Sequence, residues 1–182
     1  MKKTLLTSLV AVTILCSTKS VYAASPANSA IPLSTAETSG KSVKTPVSTQ
    51  ITVLTNIAVR KAAGKKALKE STSLDAFALM RASDMAENHY FSHYRGNNLQ
   101  LDELGLIYPD FYYGSSGENL FRVRFKKSQD QLAESCVSAW AASQVHYVNM
   151  TDVRWKTMGA AAVSSDDGYT YAVQIFSSQD AK

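Results

Sequence analysis

Acid–base and metal-ligating chemistry in this chain has few possible carriers. There are three histidines, His89, His93 and His146. His93 follows Phe91-Ser92, and His146 stands six residues after Trp140. Glu118 lies within Gly117-Glu118-Asn119-Leu120, where a carboxylate between a glycine and an apolar run is expected in a turn that aims its side chain. Two imidazoles and one carboxylate form the ligand set of many zinc sites. They are also the groups that general acid–base catalysis uses. The three residues stand far apart in sequence, so spacing alone does not bring them together. Polar residues at element ends are more often structural hydrogen-bonders than ligands.

A nucleophile would make such a site hydrolytic. Ser143 precedes His146 by three residues, and on a continuing helix the two share a face. Ser143 is read first as a hydrogen-bonder that orients His146 and second as a nucleophile. Ser92 adjoins His93 directly, which points the two apart in an extended chain. Cys136 falls on an apolar helical face and reads as a small core residue rather than a reactive thiol. His89 lies one turn beyond Met85, where a capping or packing role is expected.

The elements that must position these groups follow from periodicity. Ile51, Leu54, Ile57 and Ala58 recur at helical spacing, with Gly64 as a stop. A second helix is expected from about Ser73, its N-cap, to Glu87, with Leu74, Phe77, Ala78, Ala82 and Met85 as its apolar stripe. A short helix is expected over Leu99 to Leu104, followed by an aromatic loop containing Tyr108, Phe111, Tyr112 and Tyr113. Phe121 to Phe125 alternates as a half-buried strand does. Ser128 and Gln131 fit a capping box, opening a helix with Leu132, Ala133, Cys136, Val137 and Trp140 on one face. Residues 157–164 and 169–176 read as a hairpin around Asp166-Asp167-Gly168. This order predicts an α+β layered domain.

The ends of the chain differ from its middle. Lys2 and Lys3, the mostly apolar run Leu5–Cys16, and Val21-Tyr22-Ala23 read as a signal peptide over residues 1–23. Residues 24–50 hold ten Ser or Thr, three prolines and no aromatic residue, which predicts a disordered linker. The domain is then 51–182. The formal charge of +4 does not describe that domain, which carries 14 basic and 14 acidic residues. A secreted, extracellular monomer with no membrane span after cleavage is expected, with Cys136 as its one thiol.

Neutrality of the domain argues against nucleic acid as a partner, although Arg122 and Arg124 share a strand face among aromatic residues. No glycine-rich phosphate loop, paired CxxC or HExxH occurs. Asn149-Met150-Thr151 is a formal glycosylation acceptor.

Taken together, the stretches resemble the secreted SCP/CAP superfamily of pathogenesis-related proteins, venom allergens, cysteine-rich secretory proteins and bacterial exported proteins. The matching residues are Asn56 and Arg60, Arg81-Ala82-Ser83-Asp84-Met85-Ala86 with Tyr90-Phe91-Ser92-His93, and Gly117-Glu118-Asn119-Leu120. They continue through Trp140, Ser143, His146, Asn149 and Met150 to Met158-Gly159 and Tyr171-Ala172-Val173-Gln174-Ile175-Phe176. The resemblance implies an α–β–α sandwich with a small antiparallel sheet between helices. It also implies that His93, Glu118 and His146 meet in one cleft able to take a divalent cation such as zinc. Ser143 stands near where that family has a second acid, so a four-ligand metal site is not expected.

Two functional readings follow. In the first, the cleft of His93, Glu118 and His146, rimmed by Ser143 and Asn119, binds a small ligand, a lipid, a cell-envelope component or a cation. In the second, an imidazole acts as base for Ser143 or for a metal-activated water, giving a peptidase-like hydrolase. A purely structural polar network ranks between the two.

Overall fold

The computed structural model describes residues 46–94, 115–124 and 128–180. The leader, most of the expected linker, the Leu99–Leu104 helix, the aromatic loop through Tyr113, and Phe125 lie outside the described residues.

Helix α1 spans Pro46–Leu54, starting inside the stretch expected to be linker. Proline suits a first helical turn because its missing N–H has no partner to lose there. Val47 and Ile51 are buried, so these residues belong to the core. A π-helical segment, Thr55–Arg60, continues α1. Its wider turn, marked by Lys61 N–H donating to Asn56 O at 2.9 Å, rotates the inward face. Thr55 and Val59 are therefore buried, whereas Ile57 and Ala58, expected in the stripe, are exposed.

Strand β1 (Lys69–Glu70) precedes α2 (Thr72–Glu87). The N-cap of α2 is Ser71 rather than Ser73, its hydroxyl accepting from Leu74 N–H. All five residues of the expected stripe are buried. Strand β2 runs Ser116–Val123, α3 Gln129–Ala142 and α4 Gln144–Thr151. The Ser128/Gln131 capping box forms as expected. Strands β3 (Thr157–Ser164) and β4 (Thr170–Ser177) close the chain as a hairpin. Gly168 has φ +82°, the left-handed conformation its turn requires.

The sheet order is β1-β3-β4-β2, with β2, β4 and β3 antiparallel. The two-residue β1 pairs parallel to β3, so the sheet is mixed rather than wholly antiparallel. Strand β4 is central and buried on both faces. Helix α2 covers one face, packing Leu74, Phe77 and Met85 on Leu120, Ala161, Val173 and Ile175. Helices α1, α3 and α4 cover the other, packing Ile51, Val137, Trp140 and Met150 on Met158, Ala160, Ala172 and Phe176. The α–β–α arrangement therefore holds.

Two devices close the layers tightly. Gly159 lies where a Cβ would come within 2.4 Å of the Asp75 backbone nitrogen and the Leu74 carbonyl carbon. Glycine there lets α2 rest directly on β3. The outer edge of β2 is covered by side chains: Trp140 Nε1 donates to Leu120 O at 2.9 Å, and Asn149 Nδ2 to Glu118 O at 3.3 Å. Covering those carbonyls prevents the edge from pairing with another chain.

Candidate functional site

Glu118 sits within β2, paired with Ile175 of β4, not in a turn. Its low-propensity neighbours Gly117 and Asn119 are held in strand geometry by that register. Its side chain points to the α2 face, where Arg81 meets it. Arg81 Nε donates to Glu118 Oε2 at 3.1 Å, and Nη2 donates to Oε1 at 3.3 Å, a two-pronged pair. Both side chains are only 2% exposed. Arg81 is further held by Tyr90 Oη at 2.9 Å and Ser92 O at 3.1 Å. Tyr90 in turn donates to Asp84.

His93 approaches the same carboxylate from the chain after α2, with Nδ1 2.9 Å from Glu118 Oε1. An ionised Glu118 accepts there, so Nδ1 carries a proton. That Nε2 is buried and finds no hydrogen-bond partner among the described residues. His146, on α4 at the other side of the β2 edge, is buried, and its Nε2 is likewise without a partner among the described residues.

The charges follow from these contacts. Burial works against ionisation of Glu118, yet Arg81 and His93 outweigh it and hold the carboxyl below its ordinary range. Burial likewise works against the Arg81 charge, and Glu118 and Tyr90 overcome it. Burial, reinforced by the neighbouring His93, lowers the pKa of His146 and keeps its ring neutral. Tyr90 is pushed up to about 12 by burial and by its bond to Asp84. The site is thus an ionised Arg81–Glu118 pair in contact with His93, with His146 close enough to feel His93 and neither Nε2 partnered among the described residues.

The remaining candidates have other neighbours. Ser143 is the C-cap of α3 and the N-cap residue of α4, with ψ 116°, so the helix breaks there and does not continue to His146. No hydrogen bond joins the two among the described residues. Asn119 is fully buried and engaged by protein groups. Its Nδ2 donates to Gln174 Oε1 at 3.0 Å and lies 3.5 Å from His146 O, and its Oδ1 accepts from Asn149 Nδ2 at 3.0 Å. Gln174 extends the ladder to Thr55 Oγ1 of the π segment at 2.9 Å. Asn149, a formal glycosylation acceptor in sequence, is committed to this network and to Trp155 Nε1 at 3.3 Å. Cys136 is buried, as expected. His89 pairs with Asp166 at 2.8 Å at the exposed end of α2. Arg122 stacks on Phe91, Tyr169 and Tyr171 at 4.5–5.9 Å, an internal cation–π cluster.

The sequence reading missed Arg81 as a member of the site. Its signal was present: Arg81 interrupts the stripe of Phe77, Ala78, Ala82 and Met85 at a core-facing position. A buried arginine requires an acid close by.

Of the trio expected as metal ligands, His93, His146 and Glu118, one is held by protein groups. The Glu118 oxygens already face a guanidinium. Among the described residues no group of three or more His, Cys, Asp or Glu is placed to hold a metal ion. Glu118 orients His93 from behind, as carboxylates do behind histidine ligands, and neither His93 Nε2 nor His146 Nε2 has a hydrogen-bond partner among the described residues.

A three-layer α+β domain with an Arg–Glu–His cluster at the edge of its sheet is the class of protein these observations define. The chain matches the cysteine-rich secretory protein family, CAP, over residues 56–176, and it belongs to that family. Its fold is similar to an outer surface protein of Borrelia burgdorferi at 18% identity and TM-score 0.56, covering 70% of this chain and 91% of that one. It is also similar to an extracellular SCP-domain protein of Bacillus anthracis at 23% identity and TM-score 0.57, covering 71% of this chain and 39% of that one. A cysteine-rich secretory protein of Staphylococcus aureus matches at 18% identity and TM-score 0.51, covering 73% and 38%. The chain thus spans about two fifths of the latter two proteins. No curated protein matches the sequence.

Proposed function

We propose that this chain is an exported binding module whose ligand is held by His93 Nε2 and His146 Nε2. The observation that carries the reading is the contrast within the cluster. Every charged group in it is satisfied by protein, whereas two buried imidazole nitrogens have no partner among the described residues. A buried acceptor left unsatisfied costs about 1–3 kcal/mol, so a fold keeps two of them where a ligand repays the cost. A divalent cation that accepts imidazole, such as zinc, matches the donors, and so does a small ligand presenting hydroxyl or N–H donors. Export is supported by the Lys2-Lys3 and Leu5–Cys16 pattern and by the family. No helix among the described residues is long and apolar enough to cross a membrane.

The test is calorimetric titration of zinc and cobalt into the chain and into His93→Gln and His146→Gln. Binding in the parent and at least tenfold weaker binding in each variant is expected. Equal cation affinity in all three would remove the imidazoles from the site.

A scaffold reading has its own support in the full burial of the Arg81–Glu118 pair. It predicts that the histidine variants alter melting temperature alone. The Ser143 form of the hydrolase reading has no nucleophile–base hydrogen bond to support it, and the form with a metal-activated water does not need one.

A further inference from the structure

Charge is balanced over the domain but not evenly spread. Residues 46–69 contain Arg60, Lys61, Lys65, Lys66 and Lys69 and no Asp or Glu. Arg60 is buried, donating to Met150 O at 2.7 Å and Lys66 O at 2.6 Å. Lys61, Lys66 and Lys69 are exposed and Lys65 is half-buried. None of the four lysines forms an ion pair among the described residues. Acids close to this segment have partners of their own, Asp130 accepting from Gln50 of α1. Glu70 accepts from Ser48 and Thr49, and Asp152 is held by Arg154 at 2.6 Å.

Two large aliphatic side chains join this basic run. Val53 is 46% exposed and Ile57 63%. Val53, Ile57 and Lys61 follow one another at four-residue steps, which places them along one face. The π register is what turns Ile57 outward, so a residue that an ordinary helix would bury is presented to solvent. None of these side chains is hydrogen-bonded to His93, Glu118 or His146.

We propose that the segment Val53 to Lys69 docks on an anionic lipid surface, its lysines meeting phosphate headgroups while Val53 and Ile57 enter the boundary of the acyl region. Apolar residues beside a cluster of lysines are the composition of interfacial membrane-binding segments. A soluble polyanion would engage the lysines and leave the exposed aliphatic pair without a partner, so the pair selects lipid. Each lysine near an anionic bilayer strengthens partitioning about fivefold. Removing three therefore weakens it roughly a hundredfold.

The experiment is sedimentation of the whole chain with phosphatidylcholine vesicles containing roughly 30% phosphatidylglycerol. Every variant is carried in the same chain, so residues outside the patch contribute equally to all. Binding that falls with added salt is expected. The triple variant Lys61→Gln, Lys65→Gln, Lys66→Gln should lose about a hundredfold and Ile57→Ser several-fold, each with an unchanged circular dichroism spectrum. Arg124→Gln, a charge change outside the patch, should bind as the parent does. Equal binding to pure phosphatidylcholine vesicles, or parent-like binding by the triple variant, would overturn the proposal. So would parent-like binding by Ile57→Ser together with full competition by soluble polyphosphate, which would identify a polyanion surface instead.

Discussion

Glu118→Gln isolates the charge at the centre of the cluster. The substitution keeps the shape of the side chain and removes its negative charge. Arg81, 2% exposed, then keeps its positive charge with only the Asp84 carboxylate near it, at 3.9 Å, beside the neutral acceptors Tyr90 and the Ser92 carbonyl. The amide also turns an N–H group toward either Arg81 or the proton on His93 Nδ1. Breaking one partner of a buried ion pair costs about 3–5 kcal/mol. Taking about 4 kcal/mol and about 3 °C per kcal/mol for a domain of this size gives a fall in melting temperature of about 12 °C. The pH dependence is a second signature. Glu118 has a folded-state pKa below its ordinary 4.5, so its stabilisation is present above pH 4.5 and lost as pH falls through the folded value. Denaturant unfolding across pH 7 to pH 3 should show that slope in the parent and a smaller one in Glu118→Gln. The double variant Arg81→Met, Glu118→Gln should recover part of the loss, since the uncompensated cation is gone. A loss under about 1 kcal/mol in the single variant would refute the reasoning, by showing that Arg81 transfers to Asp84 or to water at little cost.

Three further outcomes follow from the same geometry. His146 has a pKa below 6.5, so its neutral ring adds stability that is full above pH 6.5 and lost as pH falls toward the folded value. His146→Phe should flatten the unfolding free energy between pH 7 and pH 5, and an unchanged slope would rule out the buried neutral ring. Gly159→Ala drives a methyl into the backbone of Asp75 and Leu74 at 2.4 Å, and a loss of about 3 kcal/mol or more in denaturant unfolding is expected. Ser143→Ala touches no bond to His146, and any hydrolytic activity of the purified chain should survive it. Loss of activity with intact folding would restore the nucleophile.

Much of the fold was legible because local signals and tertiary packing agreed. The α2 stripe, the Ser128 capping box and the turn at Gly168 each declare their structure within a few residues. Three features were not legible, for separate physical reasons. The start of β2 is Ser-Gly-Glu-Asn, poor strand formers that are held by pairing with β4 and by the Asn119–Gln174 bond across the two strands. The phase of the first helix is set by a π segment, whose extra residue per turn cannot be read from apolar spacing at 3.6 residues. Strand β1 has two residues, and its parallel partner lies far along the chain. The beginning of α1 was hidden by composition: Pro46, Ser48 and Thr49 look like linker, but Ser48 and Thr49 donate to Glu70 and Val47 is buried.

Residue type singled out His93, Glu118 and His146 as candidates, and only the family resemblance grouped them; the sequence did not show their division of labour. Three metal-capable residues act as three ligands only if each has a free donor atom, and the Glu118 oxygens are held by Arg81. By holding both oxygens of Glu118 it turns the carboxylate from a ligand into a brace that fixes the His93 tautomer. The same contact keeps Glu118 ionised in a fully buried position, which keeps a proton on His93 Nδ1. If the imidazoles bind as proposed, their binding strength depends on a residue that never meets the ligand. Arg81→Lys offers a single compact ammonium in place of a planar fork, so it cannot hold both oxygens. A cation site in which Glu118 were a direct ligand would gain affinity when Arg81 is weakened, because a competing positive charge is loosened. A site in which Glu118 is a brace would lose it.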